Sequence, residues 1–382
     1  MITSVAIRGF KCFKDSVEFP LSKVTLLYGR NGRGKSTLLQ SLLLLSQTFK
    51  EKRNISNLIL SSDRGFVDLG LFTDVVYKQE HAGTFGFDIS SVTDKGELHK
   101  LHTLYSEFRG RPTLAKIDEI SVDGNSLISE VVTDKGESSV TSEDMPASGT
   151  VAQTDIPALI ELDSLRFVSA NRLGPVNSQK RDDSREVDDL GNGGEFLLNV
   201  LGNQKDDFVN QIQRDLSRVL SGASIRTDAS IDPEKIYLFL DSVDGDLKGY
   251  KPVNVGFGYS YILPILVTLR LASKGSIIII ENPEAHLHPG AQSELMKLLI
   301  EIAVEKRLQL ILETHSDHII NGMRIAVKNG IITRKDANVL HFGRTEEGEP
   351  DIEDIKVDNN GQLSDYPDDF LDEMTKQLMQ LM

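Results

Sequence analysis

Residues Gly29-Arg30-Asn31-Gly32-Arg33-Gly34-Lys35-Ser36-Thr37 set glycines ahead of a lysine and two hydroxyls. The spacing is G-x-x-x-x-G-K-[ST], in which backbone N–H groups turn inward around a phosphate where a Cβ would collide. Lys35 is expected to bridge the β- and γ-phosphates of a nucleoside triphosphate, and the Ser36 hydroxyl to bind Mg²⁺. The flanking elements suit that chemistry. Val24 to Tyr28 reads as a short buried strand ending at Gly29, while Lys35 to Gln47, rich in Leu and free of Gly and Pro, reads as a helix. Its N-terminus adds a partial positive charge facing the phosphates.

Such a loop needs a carboxylate on a neighbouring strand end to hold the metal. Ile277-Ile278-Ile279-Ile280-Glu281 supplies one and continues Asn282-Pro283-Glu284-Ala285-His286-Leu287-His288-Pro289. The next expected strand, Leu308 to Leu312, leads into Glu313-Thr314-His315-Ser316-Asp317, and His315 is placed to sense or stabilise a γ-phosphate.

The elements around these residues follow from patterning. Ile2 to Ile7 and Ser16 to Phe19 read as strands, and so do Phe85 to Ile89, Leu114 to Ile120 and Ser129 to Thr133, between turns at Asp94-Lys95-Gly96 and Asp123-Gly124-Asn125. Val-Thr-Asp-Lys-Gly-Glu occurs at 92–97 and 132–137, read as one turn used twice, and Glu137 to Thr154 reads as a solvated loop. Glu195 to Leu220 reads as one helix. The last third alternates strands (Ser276 to Ile280, Leu308 to Leu312, Ala337 to Phe342) with helices (Gln292 to Lys306, Asp317 to Lys328), implying a parallel, helix-covered sheet. The fold class expected is α/β, a P-loop NTPase with a parallel sheet flanked by helices and an inserted strand-rich and helical subdomain. The ranges are 1–60 for the first half of the head, 61–250 for the inserted region, 251–345 for the second half, and 346–382 for a C-terminal extension.

Composition sets the outer bounds. Of 382 residues 39% are hydrophobic and 26% charged, and the net charge of −15 argues against wrapping nucleic acid over the whole surface. One cysteine, Cys12, excludes a disulfide framework and fits a reducing compartment. Neither a signal-peptide core nor a membrane-spanning run is present, so the expectation is a soluble cytoplasmic protein.

Together these motifs resemble the ABC-type ATPases, within them the SMC-like, RecF and OLD (overcoming lysogenization defect) group. Ile7-Arg8-Gly9-Phe10-Lys11-Cys12-Phe13 is similar to that group's first strand and turn, Gly29 to Ser36 to its Walker A, Ile277 to Glu284 to its Walker B, Ala285 to Pro289 to its D-loop region, and His315 to its switch histidine. Asn254-Val255-Gly256-Phe257-Gly258-Tyr259-Ser260 is similar to a degenerate signature motif, whose glycines would act on nucleotide held by an opposite subunit. Ser169-Ala170-Asn171-Arg172-Leu173-Gly174-Pro175 and Val357 to Leu371 resemble a subgroup with an uncharacterised C-terminal extension. The resemblance implies ATP and Mg²⁺ as cofactors, and a homodimer or higher oligomer formed around ATP. It further implies an ATP-driven switch recruiting a separate effector such as a nuclease, in DNA repair or anti-phage defence, with nucleic acid an open partner and no membrane.

One departure bears on rate. Most of the family has Glu, the general base, where this chain has Asn282, which accepts no proton at neutral pH. Glu281 or Glu284 then takes that role, or hydrolysis is slow; slow hydrolysis is the expectation. A non-hydrolytic scaffold and a different P-loop enzyme, a small-molecule kinase or GTPase, are the alternatives. His286, His288, His315 and His318 beside Glu281, Glu284 and Asp317 could instead form a metallohydrolase centre, and Arg166, Arg172, Lys180, Arg181 and Arg185 form the one basic cluster, which could touch nucleic acid, reach a nucleotide through Arg172, or be a plain solvated loop.

Overall fold

The computed structural model describes residues 1–63, 65–79, 83–127, 153–182, 189–241, 249–367, 370–371 and 373–381. The chain forms two units, one from 1–22, 31–165 and 342–353, the other from 23–30, 166–341 and 354–382.

In the first unit the alternating N-terminal residues form β1 (Ile2–Arg8), antiparallel to β2 (Val17–Pro20) on one side and to β5 (Phe85–Val92) on the other. The sheet continues through β6 (Leu98–Glu107) and β7 (Leu114–Val122) to β4 (Asn57–Ile59), and β8 (Asn125–Ser126) pairs with β7. The Asp94-Lys95-Gly96 turn joins β5 to β6 as expected, with the Thr93 amide donating to Glu97 O at 3.0 Å. Patterning passed over β6, whose two faces both carry polar residues; its inward positions are Leu101, Thr103 and Tyr105. The aromatic rings of Phe10, Phe72, Phe85, Phe87 and Tyr105 fill the core, with the Phe10 and Phe85 centroids 5.2 Å apart. The run Ser129 to Thr133, the second Val-Thr-Asp-Lys-Gly-Glu and nearly all of Glu137 to Thr154 lie outside the described residues.

The phosphate-loop helix, α1, runs Lys35–Lys52, past its expected end. Leucines around the whole circumference make it a buried helix rather than an amphipathic one, and its buried polar residues are matched. Gln47 Nε2 donates to Ile59 O (2.7 Å), Thr48 Oγ1 accepts from the Ile59 amide (2.9 Å), and Ser46 Oγ donates to Leu162 O (2.6 Å) at the end of α3 (Pro157–Asp163). A short α2 (Phe72–Val75) completes this unit.

The second unit is built on parallel strands. β9 (Arg166–Val168), β13 (Ile277–Glu281), β14 (Gln309–Glu313) and β3 (Val24–Gly29) lie side by side, and the strand order continues through β15 (Ala337–Arg344) and β16 (Pro350–Lys356), of which 337–341 and 354–356 belong to this unit and 342–353 to the first. The register sets Glu281 level with Glu313, and Glu313 level with Leu27. The chain's site-bearing loops therefore leave the carboxyl ends of adjacent strands, where open α/β sheets bind ligands. Ile278, Ile280, Leu310 and Leu312 share a core with α6 (Gly258–Leu271), α7 (Pro289–Lys306) and α8 (Asp317–Lys328).

A small sheet of β10 (Ser178–Lys180), β12 (Lys235–Asp241) and β11 (Ser224–Asp228) accompanies α4 (Leu197–Asn203) and α5 (Asp206–Val219). The single helix expected over Glu195 to Leu220 is two. Gln204 and Lys205 are extended (ψ 158 and 153), and Asp206 and Asp207 start a fresh first turn that complements its dipole. Gly202 presses α4 onto β12, since a Cβ there would come within 2.7 Å of Ile236 Cδ1. The acidic stretch from Asp351 carries β16, and Asp354 accepts from Asn338 Nδ2 at 2.9 Å. Beyond it Phe370 is buried against Tyr28 (ring centroids 5.2 Å) and His341 (5.5 Å), and α9 (Glu373–Leu381) follows.

Candidate nucleotide site

The loop between β3 and α1 has the backbone its glycines promise, with φ of 140° at Gly29, 73° at Gly32 and 104° at Gly34. A Cβ on Gly32 would meet nothing within 4 Å, so the loop keeps a cradle there. At Gly34 a Cβ would fall 2.6 Å from Phe13 Cζ and 3.1 Å from Cys12 Sγ, so both φ and space demand glycine. Gly34 O accepts from the amides of Thr37 (3.0 Å) and Leu38 (3.2 Å), and no side chain caps the helix start. Lys35 is only 3% exposed, Ser36 and Arg33 are half-buried, and Arg30 and Asn31 are exposed. Thr37 is buried with its hydroxyl 3.7 Å from Cys12 Sγ, and burial pushes the Cys12 thiol pKa up. These residues fit a polyphosphate. Gly34→Ala is expected to cost about 2 kcal/mol of stability, from the left-handed φ and the overlap with Phe13, and to weaken ATP binding in the same step. Thermal unfolding with and without ATP checks both.

On the second unit, four buried isoleucines aim Glu281 out of β13. Glu281 Oε2 accepts the Ala170 amide at 2.9 Å. Asn282 follows in the left-handed region (φ 44°), its amide donating to Glu313 O at 2.8 Å. Glu284 is engaged by both oxygens, Oε2 accepting from Thr314 Oγ1 (2.9 Å) and Oε1 from the His315 amide (2.8 Å). It therefore clamps the loop after β13 to the loop after β14. The His315 side chain itself is exposed. Ser316 Oγ caps α8, accepting from the amides of His318 (3.1 Å) and Ile319 (3.3 Å), and Tyr28 OH donates to Asp317 Oδ1 at 3.0 Å.

The histidines do other work. His288 is the N-cap of α7, its Nδ1 accepting from the Gly290 amide at 3.2 Å, so that helix starts at Pro289, before the expected Gln292. His286 adopts φ 61° and packs between Tyr261 (centroids 4.3 Å) and Phe257 (5.4 Å). Among the described residues no three His, Cys, Asp or Glu side chains gather as a metal-binding set.

Gly256 and Gly258 stand at the start of α6, with Phe257 between them 52% exposed. A Cβ on Gly258 would come within 3.2 Å of His286 O, so the glycine lets this turn approach the loop after β13. Within the second unit the structure thus brings together Glu281, Glu284, the His315 backbone and Gly258. Arg172 is the residue for which the sequence left a nucleic-acid contact, a nucleotide contact and a solvated loop open. Set in a polar loop it resembles any solvated arginine, yet it is 3% exposed. Its Nη1 donates to Ser169 O (3.1 Å) and Glu281 O (2.7 Å), and Nη2 to Asn282 O (2.6 Å). Arg166 is half-buried, Lys180 and Arg181 are exposed, and Arg185 lies outside the described residues.

Comparison with known proteins agrees with this architecture. The AAA ATPase domain family matches residues 1–109 and 196–320, and a family described as a protein of unknown function (DUF3696) matches 332–381. An OLD nuclease of Thermus scotoductus is 24% identical over 341 residues, covering 83% of this chain and 59% of that relative's length. An SMC head bound to the C-winged helix domain of ScpA superposes with a TM-score of 0.54 at 14% identity, over 93% of this chain and 97% of that one. The Smc head domain with an extended coiled coil, bound to the C-terminal domain of ScpA and derived from Pyrococcus furiosus, gives 0.52 at 12% identity, over 100% and 99% of the two chains. These likenesses show an SMC-head-like α/β P-loop fold. With more than half of its residues matched by that family, the chain belongs to the AAA ATPase domain family.

Proposed function

We propose that this chain is an ABC-type ATPase that binds ATP and Mg²⁺ and signals by occupancy of the site, with slow hydrolysis. Lys35 and the backbone from Gly29 to Gly34 bind the β- and γ-phosphates. Ser36 and Glu281 supply oxygen ligands to Mg²⁺, and His315 answers to the γ-phosphate. Slow turnover rests on the state of the polar groups after β13. Asn282 has no proton-accepting capacity, Glu284 spends both oxygens on Thr314 and His315, and Glu281 holds the Ala170 amide. Taking a proton from a water would cost Glu284 the charge that strengthens both hydrogen bonds of the clamp.

Gly256 and Gly258 act on nucleotide held by a second copy, so binding ATP drives a homodimer or higher oligomer together. The relative named a nuclease and the SMC heads bound to ScpA support a switch working through a separate effector protein, in DNA repair or anti-phage defence. Nucleic acid is a candidate trigger. Among the described residues no helix is long and apolar enough to cross a membrane, and a cytoplasmic site of action is part of this reading.

Phosphate release from the purified protein at saturating ATP–Mg²⁺ tests it. The expected rate lies below about one per second, the low end of enzymatic turnover; fast, steady release contradicts the reading. Asn282 also favours a purely non-hydrolytic scaffold, for which release is absent while ATP-dependent assembly persists.

A further inference from the structure

Arg172 lies outside both matched segments, in the run from Ser169 to Pro175. Its surroundings are costly. The guanidinium is buried, its Nε has no hydrogen-bond partner, and burial lowers its pKa to about 10 against the pull of Glu284, Tyr261 and Glu281. A solvated arginine carries no such penalty, and an orphaned buried donor has lost its water without gaining a partner. What the cost secures is the backbone at Glu281 and Asn282. Two carbonyls in a row, the second belonging to a non-glycine residue at φ 44°, are held by adjacent nitrogens of one rigid plane. Asn282 O also takes the Ala285 amide at 3.2 Å, so the turn that presents Glu284 hangs from the same carbonyl.

The other face of the guanidinium leads elsewhere. Arg172 Cζ lies 5.5 Å from the Tyr261 ring centroid, Tyr261 packs on His286, and His286 stacks on Phe257 between Gly256 and Gly258. A continuous stack thus joins the signature-like turn to the loop that carries Asn282 and Glu284. We infer that Arg172 is a positioning residue for ATP hydrolysis, setting the Asn282–Glu284 loop and tying it through Tyr261, His286 and Phe257 to the turn that meets a partner's nucleotide. Its guanidinium nitrogens donate to backbone carbonyls. Arg172 keeps the loop in a strained geometry that water and substrate alone would not maintain.

This inference rests on the ATPase reading, so wild-type turnover is measured in the same series. The unsubstituted protein, Arg172→Lys, Tyr261→Leu and the double variant are compared by thermal unfolding, by affinity for a fluorescent ATP analogue, and by kcat and KM for ATP. A lysine reaches one carbonyl where arginine holds three, so Arg172→Lys is expected to lower kcat at least tenfold. KM and analogue affinity should stay within about threefold and Tm within a few degrees. Tyr261→Leu should lower kcat in the same manner, and the double variant should lose little more than Arg172→Lys alone, as expected of residues acting in one unit. A wild-type kcat in Arg172→Lys overturns the inference while leaving the ATPase reading intact. A joint collapse of Tm and affinity overturns it in favour of a structural role. Additive losses in the double variant overturn the link through Tyr261. A wild-type protein without turnover overturns both readings together.

Discussion

Lys35→Ala is expected to weaken ATP binding more than a hundredfold while leaving the fold intact. The ammonium sits at the first turn of α1, 3% exposed, behind a loop whose glycines open towards a phosphate. A charge-assisted hydrogen bond to phosphate contributes about 1.5–3 kcal/mol, and an amine bridging two phosphates makes two. Losing about 3 kcal/mol corresponds to a factor of more than 100 in Kd. Alanine is the best helix former, and α1 is anchored by its leucines and by Gln47 and Thr48, so unfolding without nucleotide should be little changed. Titration with a fluorescent ATP analogue, beside a thermal melt, checks it. Unaltered affinity would remove the phosphate loop from the account.

The second large effect runs in the opposite direction. Asn282→Glu is expected to raise phosphate release by at least tenfold, since a placed general base contributes about 10²–10⁴. The backbone at this position accommodates the change, because its contacts are main-chain ones: the amide to Glu313 O, and the carbonyl to Arg172 and Ala285. Glutamate tolerates φ 44° less well than asparagine, so a loss of roughly 0.5–1 kcal/mol in stability accompanies the gain. Single-turnover and steady-state release on the folded variant are the readouts. An unchanged rate would show that Asn282 is not what holds turnover down.

What was legible in the chain divides by physical range. The strand, glycine loop and helix from Val24 onward could be read because each link is local: apolar run, positive-φ residues, then Leu-rich helix. The run from Ile277 to Pro289 was legible for the same reason, and α8 begins and ends where Asp317 and Lys328 suggested. Two errors came from non-local packing. The helix over Glu195 to Leu220 breaks at the extended Gln204 and Lys205, and the first of the two pieces packs through Gly202 on Ile236, a contact far off in sequence. β6 escaped because its inward Leu101, Thr103 and Tyr105 alternate with residues as polar as its tips. Roles within the site were harder still. Glu284 reads as a candidate base, and its second task, accepting from Thr314 and the His315 amide, is invisible in the sequence. Arg172 reads as solvated until three carbonyls close around it. Nothing in a single sequence encodes which loop will wrap a charge.

The central claim is that ATP–Mg²⁺ occupancy, slowly discharged, sets the association state of the chain. Light scattering of the purified protein, without nucleotide and with ATP–Mg²⁺, while phosphate release is recorded, tests it most directly. The account predicts a shift to a dimer or larger assembly on ATP, absent in Lys35→Ala, with release continuing at less than about one per second. A mass indifferent to ATP, in a protein that binds it, would contradict the account.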